Sequence, residues 1–214
     1  MKDVVFWGAT GQAKVLYEAI YDADTCLVAL IDNREVSSPV AGVPVLRGMN
    51  GLNEWLREKD ISNLYYLIAV GGGKGRDRLE LMKSLDDKGL KPLTIVHPTA
   101  FVAKDAIIGA GCQILAQSAV CTQSRLGRSV IINTSASVDH DTIIGDGSHI
   151  APGARIAGEV VVERGVFIGV GAVILPRIKI GEYATVGAGA VVLRDVPANM
   201  TVVGNPAKIR RKKK

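Results

Sequence analysis

Along the second half of the chain a branched aliphatic residue recurs every six positions without a break, from Val102 to Val192. The series runs Val102, Ile108, Ile114, Val120, Leu126, Ile132, Val138, Ile144, Ile150, Ile156, Val162, Ile168, Ile174, Ile180, Val186 and Val192. A short fixed period means stacked identical units, and a six-residue unit of this kind predicts a parallel β-helix. Two positions ahead of the aliphatic residue small side chains dominate, as at Ala106, Ser118, Ser124, Ala136, Ser148, Ala154, Ala172, Ala184 and Ala190. A large residue pointing inward and a small one at the corner suit a narrow triangular prism. Three six-residue faces close one coil, so neighbouring coils should stack ~4.8 Å apart through parallel backbone hydrogen bonds. Each coil then buries three aliphatic side chains, at roughly 1.5–3 kcal/mol apiece, against the entropy of ordering the chain. Gly109, Gly127, Gly145, Gly169, Gly181 and Gly187 follow the aliphatic position and are expected where the chain bends without a Cβ penalty. The period alone does not set the hand of the coil.

Ahead of residue 97 the pattern changes to alternating strands and helices. Val4 to Trp7 reads as a buried strand running into Gly8-Ala-Thr-Gly11-Gln-Ala, and an amphipathic helix follows over 13–22. Leu27 to Ile31 is a second strand ending in Asp32, and Asn53 to Lys59 reads as helix. Leu64 to Val70 is a third strand ending in Gly71-Gly72-Gly73, followed by a helix over 76–88 and a short strand near 93–96. This order predicts a parallel sheet with crossover helices, about half of a Rossmann fold. A Gly-rich strand-to-helix turn lets phosphate approach backbone N–H groups, and Asp32 is placed to take ribose or base hydrogen bonds. Gly8-x-x-Gly11 is incomplete as a dinucleotide fingerprint, so a single nucleotide or a nucleotide sugar is expected. Gly71 to Lys74 is not a P-loop. His97-Pro98 marks the boundary, which divides the chain into a Rossmann-like domain (1–97), a β-helix (98–197) and a tail (198–214).

The formal charge of +5 is confined to one end. Residues 208–214 hold six of the 26 Lys and Arg, leaving 20 against 21 acidic residues elsewhere. That distribution argues against nucleic-acid binding, which needs a basic stripe and a recognisable module. Three cysteines without metal-type spacing fit a reduced, cytoplasmic setting. No apolar run is long enough for a signal peptide or a bilayer span.

Two of the three histidines lie on the predicted prism, His140 after Val138 and His149 before Ile150. His140 stands between Asp139 and Asp141, and a carboxylate on one imidazole nitrogen makes the other a better base. In the stacking register His140 aligns with Thr122 on one side and Gly158 on the other. Gly158 should leave open space over the imidazole and a free backbone N–H for a reacting carbonyl.

These residues carry a resemblance. The hexads, Asn133-Thr134-Ser135, Val138-Asp-His140-Asp141, Gly145-Asp-Gly-Ser-His149 and Val203-Gly-Asn-Pro206-Ala-Lys resemble the hexapeptide-repeat acyltransferases. With Gly8-Ala-Thr-Gly11 and Ile31-Asp32 in front, the whole chain is similar to the branch of sialic acid O-acetyltransferases and nucleotide-linked 4-amino-sugar N-acetyltransferases. The resemblance implies a left-handed parallel β-helix, a homotrimer, and active sites between neighbouring prisms with acetyl-CoA in the groove. It makes His140 the general base, Asp141 the acid that orients it, and the Gly158 amide a donor to the thioester carbonyl. It sets His149 on the acetyl-CoA side of the site and Val170 and Ala188 along the cofactor path. It assigns Thr10, Gly11, Gln12, Asp32, Asn33 and Gly71 to the nucleotide of the sugar substrate. Gln12 stands where the family usually has His, and His140-Asp141 where His-Glu is common, which leaves Asp139 as a second candidate for the orienting carboxylate.

The expected reaction is acetyl transfer from acetyl-CoA to the 4-amino group of a nucleotide-linked 4-amino-4,6-dideoxy sugar, with UDP the first choice, in bacterial surface-glycan synthesis. Transfer is direct, because no cysteine has a histidine at a spacing suited to a covalent intermediate. O-acetylation of a sialic acid is the nearest alternative. A γ-type carbonic anhydrase would need three converging imidazoles, so no metal is expected. A non-catalytic trimeric nucleotide-binding subunit is the remaining alternative.

Overall fold

The computed structural model describes residues 1–20 and 24–210. Tyr21 and Asp22, at the end of the expected first helix, and residues 211–214 of the basic tail lie outside the described residues.

The front of the chain forms β1 (Lys2–Trp7), α1 (Gly11–Ala19), β2 (Thr25–Asp32), β3 (Val45–Arg47), α2 (Gly48–Leu56), β4 (Leu64–Ile68), α3 (Gly75–Asp86) and β5 (Lys91–Pro92). The strands are parallel and ordered β3-β2-β1-β4-β5. Both faces of the sheet are covered, which is why its central strands read as continuous apolar runs. Val4, Phe6, Leu30 and Leu67 pack with Leu16 of α1 on one side. Val5, Trp7, Ile31 and Tyr66 pack with Leu52 of α2 and Met82 and Leu85 of α3 on the other.

Three details depart from the sequence expectation. β3 was not anticipated, because three residues are too few to show a period. The second helix starts at Gly48 rather than Asn53, with Leu52 buried beneath the sheet. The strand expected at 93–96 is two elements: Lys91–Pro92 closes the front sheet, whereas Ile95–Val96 pairs with Gln113–Ile114 on the prism.

Every aliphatic residue of the hexad series is the second member of a two-residue strand, and each strand as far as Val173–Ile174 pairs in parallel with the strand eighteen residues on. The strands build three faces. The first runs from Ile95–Val96 through Gln113–Ile114, Ile131–Ile132, His149–Ile150 and Phe167–Ile168 to Thr185–Val186. The second holds Phe101–Val102 to Val191–Val192, and the third Ile107–Ile108 to Lys179–Ile180. Inside, Ile114, Val120, Ile132, Val138, Ile150, Val162, Ile168 and Val186 have no accessible surface. The buried serines at the corners spend their hydroxyls on main-chain carbonyls, Ser118 on Leu115, Ser124 on Asp139 and Ser148 on Glu163. The coil continues past residue 198. Thr201–Val203 pairs with Thr185–Val186, Val202 is buried, and Lys208–Ile209 folds back antiparallel on it.

The glycines after the aliphatic position have a different cause from the one expected. The left-handed residue of each corner lies two positions further on, and it is occupied by Gln117, Ser135, Asp141, Glu159 and Tyr183 as well as by Gly147 and Gly165. Its N–H donates to the previous coil, as from Ser135 to Ala116 O (2.9 Å) and from Asp141 to Thr122 O (3.1 Å), which offsets the cost of that conformation. Gly145 and Gly169 are required instead by the neighbouring coil. A Cβ at either would lie 2.6 Å from a backbone nitrogen, of Arg164 and of Ala188 respectively.

The front domain rests on the first face of the prism. Gly73 abuts Phe167, and His149 reaches the Gly72 carbonyl. At one edge of this face α3 packs against Gly147 and Gly165, where a Cβ on Gly75 would strike the prism backbone. At the other edge Lys14, Val15 and Glu18 of α1 face Leu115, Ala116 and Thr134 across a small cleft.

Candidate active site

The carboxyl ends of β1, β2 and β4 converge on a hollow of about 610 Å³. It lies where the strand order reverses, the usual crevice for ligands in an open parallel sheet. Thr10, Gly11, Gln12, Asp32, Asn33 and Gly71 all line it. Gly8 has a φ of +112° and packs so tightly on the Ala69 carbonyl that no side chain fits. That close approach lets the chain turn from β1 into α1, whose first-turn N–H groups are left for an anion.

Asp32 does not offer its carboxylate to the hollow. It is buried and accepts from the Ala9 N–H (3.2 Å), the Arg34 N–H (2.9 Å) and the Arg34 guanidinium (3.1 and 3.2 Å). The Arg34 guanidinium and these N–H donors hold its pKa below the ordinary carboxylate value, against the opposing effect of burial. Its position therefore fixes the β1–α1 loop, and Arg34 presents the outward polar surface. Arg34 was not singled out from the sequence, though it lies only two residues beyond Asp32.

The prism holds the hollow from behind. Gln12 donates to Gln113 (2.9 Å), and buried Gln113 donates to the Ile68 carbonyl (2.8 Å). His149 is 4% exposed, with Nε2 3.0 Å from Asn133 Nδ2, Nδ1 3.3 Å from Gly72 O, and its ring edge-on to Phe167. Burial, reinforced by the nearby Arg78 charge, pushes its pKa down to about 4, so the ring is neutral. The expected placement of His149 on an acetyl-CoA groove is thus not what a single chain displays: the ring is enclosed by the front domain, behind Gly71. Gln113 reads as an ordinary repeat position in the sequence and Asn133 only as part of the Asn133-Thr134-Ser135 motif, and both show their contacts here once the front domain is seated.

His140 and Asp141 sit at the corner between the second and third faces, opposite the face that carries the front domain. The ring is half exposed and its Nδ1 lies 2.8 Å from Asp141 Oδ2. Asp139 accepts instead from the His140 backbone N–H (2.8 Å), so Asp141 is the carboxylate on the ring. That hydrogen bond raises the His140 pKa above its ordinary value, with smaller contributions from the Asp139, Asp141 and Glu159 charges. The space left by Gly158 is not empty. A Cβ there would lie 2.5 Å from Cε1 and 3.0 Å from Cδ2 of His140, and closer still to Nε2, so the ring itself lies over the glycine. The Gly158 N–H has no hydrogen-bond partner among the described residues.

Exposed Val170 and Ala188 follow the first-face strands Phe167–Ile168 and Thr185–Val186, at the corner between the first and second faces. A single chain therefore keeps three groups apart: the hollow with His149 behind it, the Val170–Ala188 corner, and the His140–Asp141–Gly158 corner. Cys112 is buried against the Gly127 carbonyl, and burial pushes its thiol up to about 12, unsuited to nucleophilic work.

Comparison with known proteins bears on this arrangement. The model of the bacterial transferase hexapeptide (six repeats) matches residues 123–158 and 159–194. PerB from Caulobacter crescentus, solved with CoA and GDP-perosamine, is 35% identical over 99% of this chain and 98% of its own, with a TM-score of 0.89. The chain belongs to the hexapeptide-repeat acyltransferases. Within them it is similar to the branch of the sialic acid O-acetyltransferases and the nucleotide-linked amino-sugar N-acetyltransferases. The acetyltransferase domain of PglB from Neisseria gonorrhoeae FA1090 covers 98% of this acyltransferase and 100% of its own chain, at 32% identity and a TM-score of 0.88. A GDP-perosamine N-acetyltransferase of Escherichia coli O157:H7 is 39% identical over 94 residues, 44% of this chain and 42% of that relative. The matched segment thus spans less than half of the curated relative's length.

Proposed function

We propose that this protein transfers an acetyl group from acetyl-CoA to the 4-amino group of a nucleotide-linked 4-amino-4,6-dideoxy sugar. The observation that carries the reading is the His140–Asp141 pair packed against Gly158, whose N–H has no partner among the described residues. In its neutral form His140 takes a proton from the sugar amine at Nε2, while Asp141 keeps Nδ1–H in place. The amine nitrogen forms its bond to the thioester carbonyl carbon, the Gly158 N–H receives the developing oxyanion, and the carbon–sulfur bond breaks to release CoA thiolate. No residue of the chain is acylated.

The nucleotide occupies the hollow at Thr10 to Gln12, Asn33 and Gly71, with Asp32 and Arg34 shaping its wall. That relatives are named for GDP- and UDP-linked amino sugars supports a diphosphate in this place. Because His140 lies on the corner opposite the hollow, the site is completed by a neighbouring copy in a homotrimer of left-handed coils. There the Val170–Ala188 corner of one copy faces the His140 corner of the next and acetyl-CoA runs between them. Exposed Phe101, Ile107 and Ile143 on the second and third faces supply apolar surface for that packing. Bacterial surface-glycan synthesis in the cytoplasm is the setting this chemistry fits.

The test is CoA-thiol release with UDP-, GDP- and dTDP-linked 4-amino sugars and sialic acid as acceptors, with product mass spectrometry. One acetyl gained on a nucleotide amino sugar supports the reading. A gain on sialic acid alone moves the acceptor from nitrogen to oxygen, and no release with any acceptor overturns catalysis.

A further inference from the structure

The wall of the hollow carries little free positive charge for a diphosphate. Arg34 is the one basic side chain lining it, and Arg34 is committed to Asp32. Directly behind it lies a cation that forms no ion pair among the described residues. Arg78, from the first turns of α3, has no accessible surface. Its guanidinium donates to the carbonyls of Val70 (3.2 Å) and Gly72 (3.2 Å) from one nitrogen and of Gly147 on the prism from another. No carboxylate pairs with it among the described residues, and its Nε has no partner.

The carbonyls it holds belong to the Gly-rich loop after β4. In a trans peptide the N–H points opposite to the C=O. Drawing the Val70 and Gly72 carbonyls toward Arg78 turns the N–H groups of Gly71 and Gly73 away from it, and Gly71 lines the hollow. None of the three glycine N–H groups is hydrogen-bonded within the described chain. Gly72 has a φ of +67°, which bends the loop into the successive-N–H concavity that suits anions. His149 meets the same Gly72 carbonyl from the prism side and holds the loop from a second direction.

We propose that Arg78 is the buried counter-charge and the mould of this loop, a positioning residue for the substrate's diphosphate that never touches it. The proposal rests on the nucleotide occupying the hollow. A charge screened only by protein acts on the diphosphate through the intervening peptides, and its loss removes roughly ten- to a hundredfold of anion affinity.

The experiment compares binding of uridine with UDP, and guanosine with GDP, by titration calorimetry, using competition for the weak nucleosides. The readout is the ratio of nucleoside to nucleoside-diphosphate Kd. Arg78→Met is expected to lower that ratio at least about tenfold with nucleoside affinity kept, while KM for acetyl-CoA stays unchanged. Arg78→Lys keeps the charge but spans fewer carbonyls, so its ratio falls by less. If Arg78→Met does not fold, Arg78→Lys decides: a fall in the ratio with intact nucleoside binding supports the proposal. Equal losses for nucleoside and diphosphate in the folded variant overturn it, as does an unchanged ratio. If the wild-type chain binds neither UDP nor GDP, the nucleotide reading of the hollow has failed, and the role of Arg78 falls with it.

Discussion

Gly158→Ala separates the proposed catalytic corner from the rest of the prism, because one methyl group meets one mobile ring. The added carbon would sit 2.5 Å from Cε1 of His140, against an ordinary contact of about 3.5 Å, so the imidazole must retreat by about 1 Å. The ring is half exposed and swings outward more readily than the backbone shifts. A displacement of about that size at a reacting group is worth about 10²-fold in rate, within the 10²–10⁴ that general-base transfer supplies. Gly158→Ala should therefore lower kcat by about 10² with a melting temperature close to wild type. Gly145→Ala is the matched control. Its Cβ would fall 2.6 Å from the Arg164 backbone nitrogen, which cannot swing away, so the cost of about 1–3 kcal/mol lands on stability. Steady-state thiol release and thermal melts of both variants make the comparison. Gly158→Ala with a kcat within about twofold of wild type would refute the placement of the ring over this glycine.

The remaining predictions address the charge on His140, the loop behind Asp32 and the nucleophile. With neutral His140 as the proposed base and its pKa raised by Asp141, the acid limb of kcat/KM should lie above the ordinary histidine value. Asp141→Asn should move that limb to lower pH and cut the plateau by about 10² or more through loss of the tautomer; a limb that stays put would exclude Asp141. Asp32→Ala frees the Ala9 N–H and Arg34 together, and should raise KM for the nucleotide sugar about tenfold while sparing acetyl-CoA. Because the Asp32 pKa is depressed, its contribution is complete above the unfolded carboxylate value and fades as pH falls through the folded one, which melts at graded acid pH will register. Cys112→Ala should leave kcat within about twofold; complete loss in a folded variant would point to a covalent route.

The hexad period located the strands because each strand is two residues long and only the second faces inward. Ile143–Ile144 shows this plainly: Ile144 is buried and Ile143 stands open to solvent. The period did not separate two reasons for a glycine. Gly145 and Gly147 look alike in sequence, yet one makes room for the next coil and the other takes a left-handed turn beneath α3. His140 and Asp141 were legible because their contact is between adjacent residues. The choice of Asp141 over Asp139 needed the backbone, since the left-handed conformation at Asp141 (φ 56°) accompanies its bond to the ring. The environments of Gln113, His149 and Arg78 were out of reach, because each depends on a partner in the other domain, 45 to 101 residues away, as in Gln12 with Gln113, Gln113 with Ile68, His149 with Gly72 and Arg78 with Gly147.

The coil also works as a ruler. The front domain grips the prism between Gln113 and Tyr183, and His140 stands within that span, so the height of His140 relative to the hollow is set by counting turns. Each turn advances ~4.8 Å, and a whole turn returns every side chain to its own face. Eighteen residues added beyond Ala188 would lengthen the far end without moving the hollow, His140 or the Val170–Ala188 corner. The same insertion between Gln113 and His149 would tear the front domain from its seat. Length at one end of this molecule is free to drift in whole steps, and length in the middle is not.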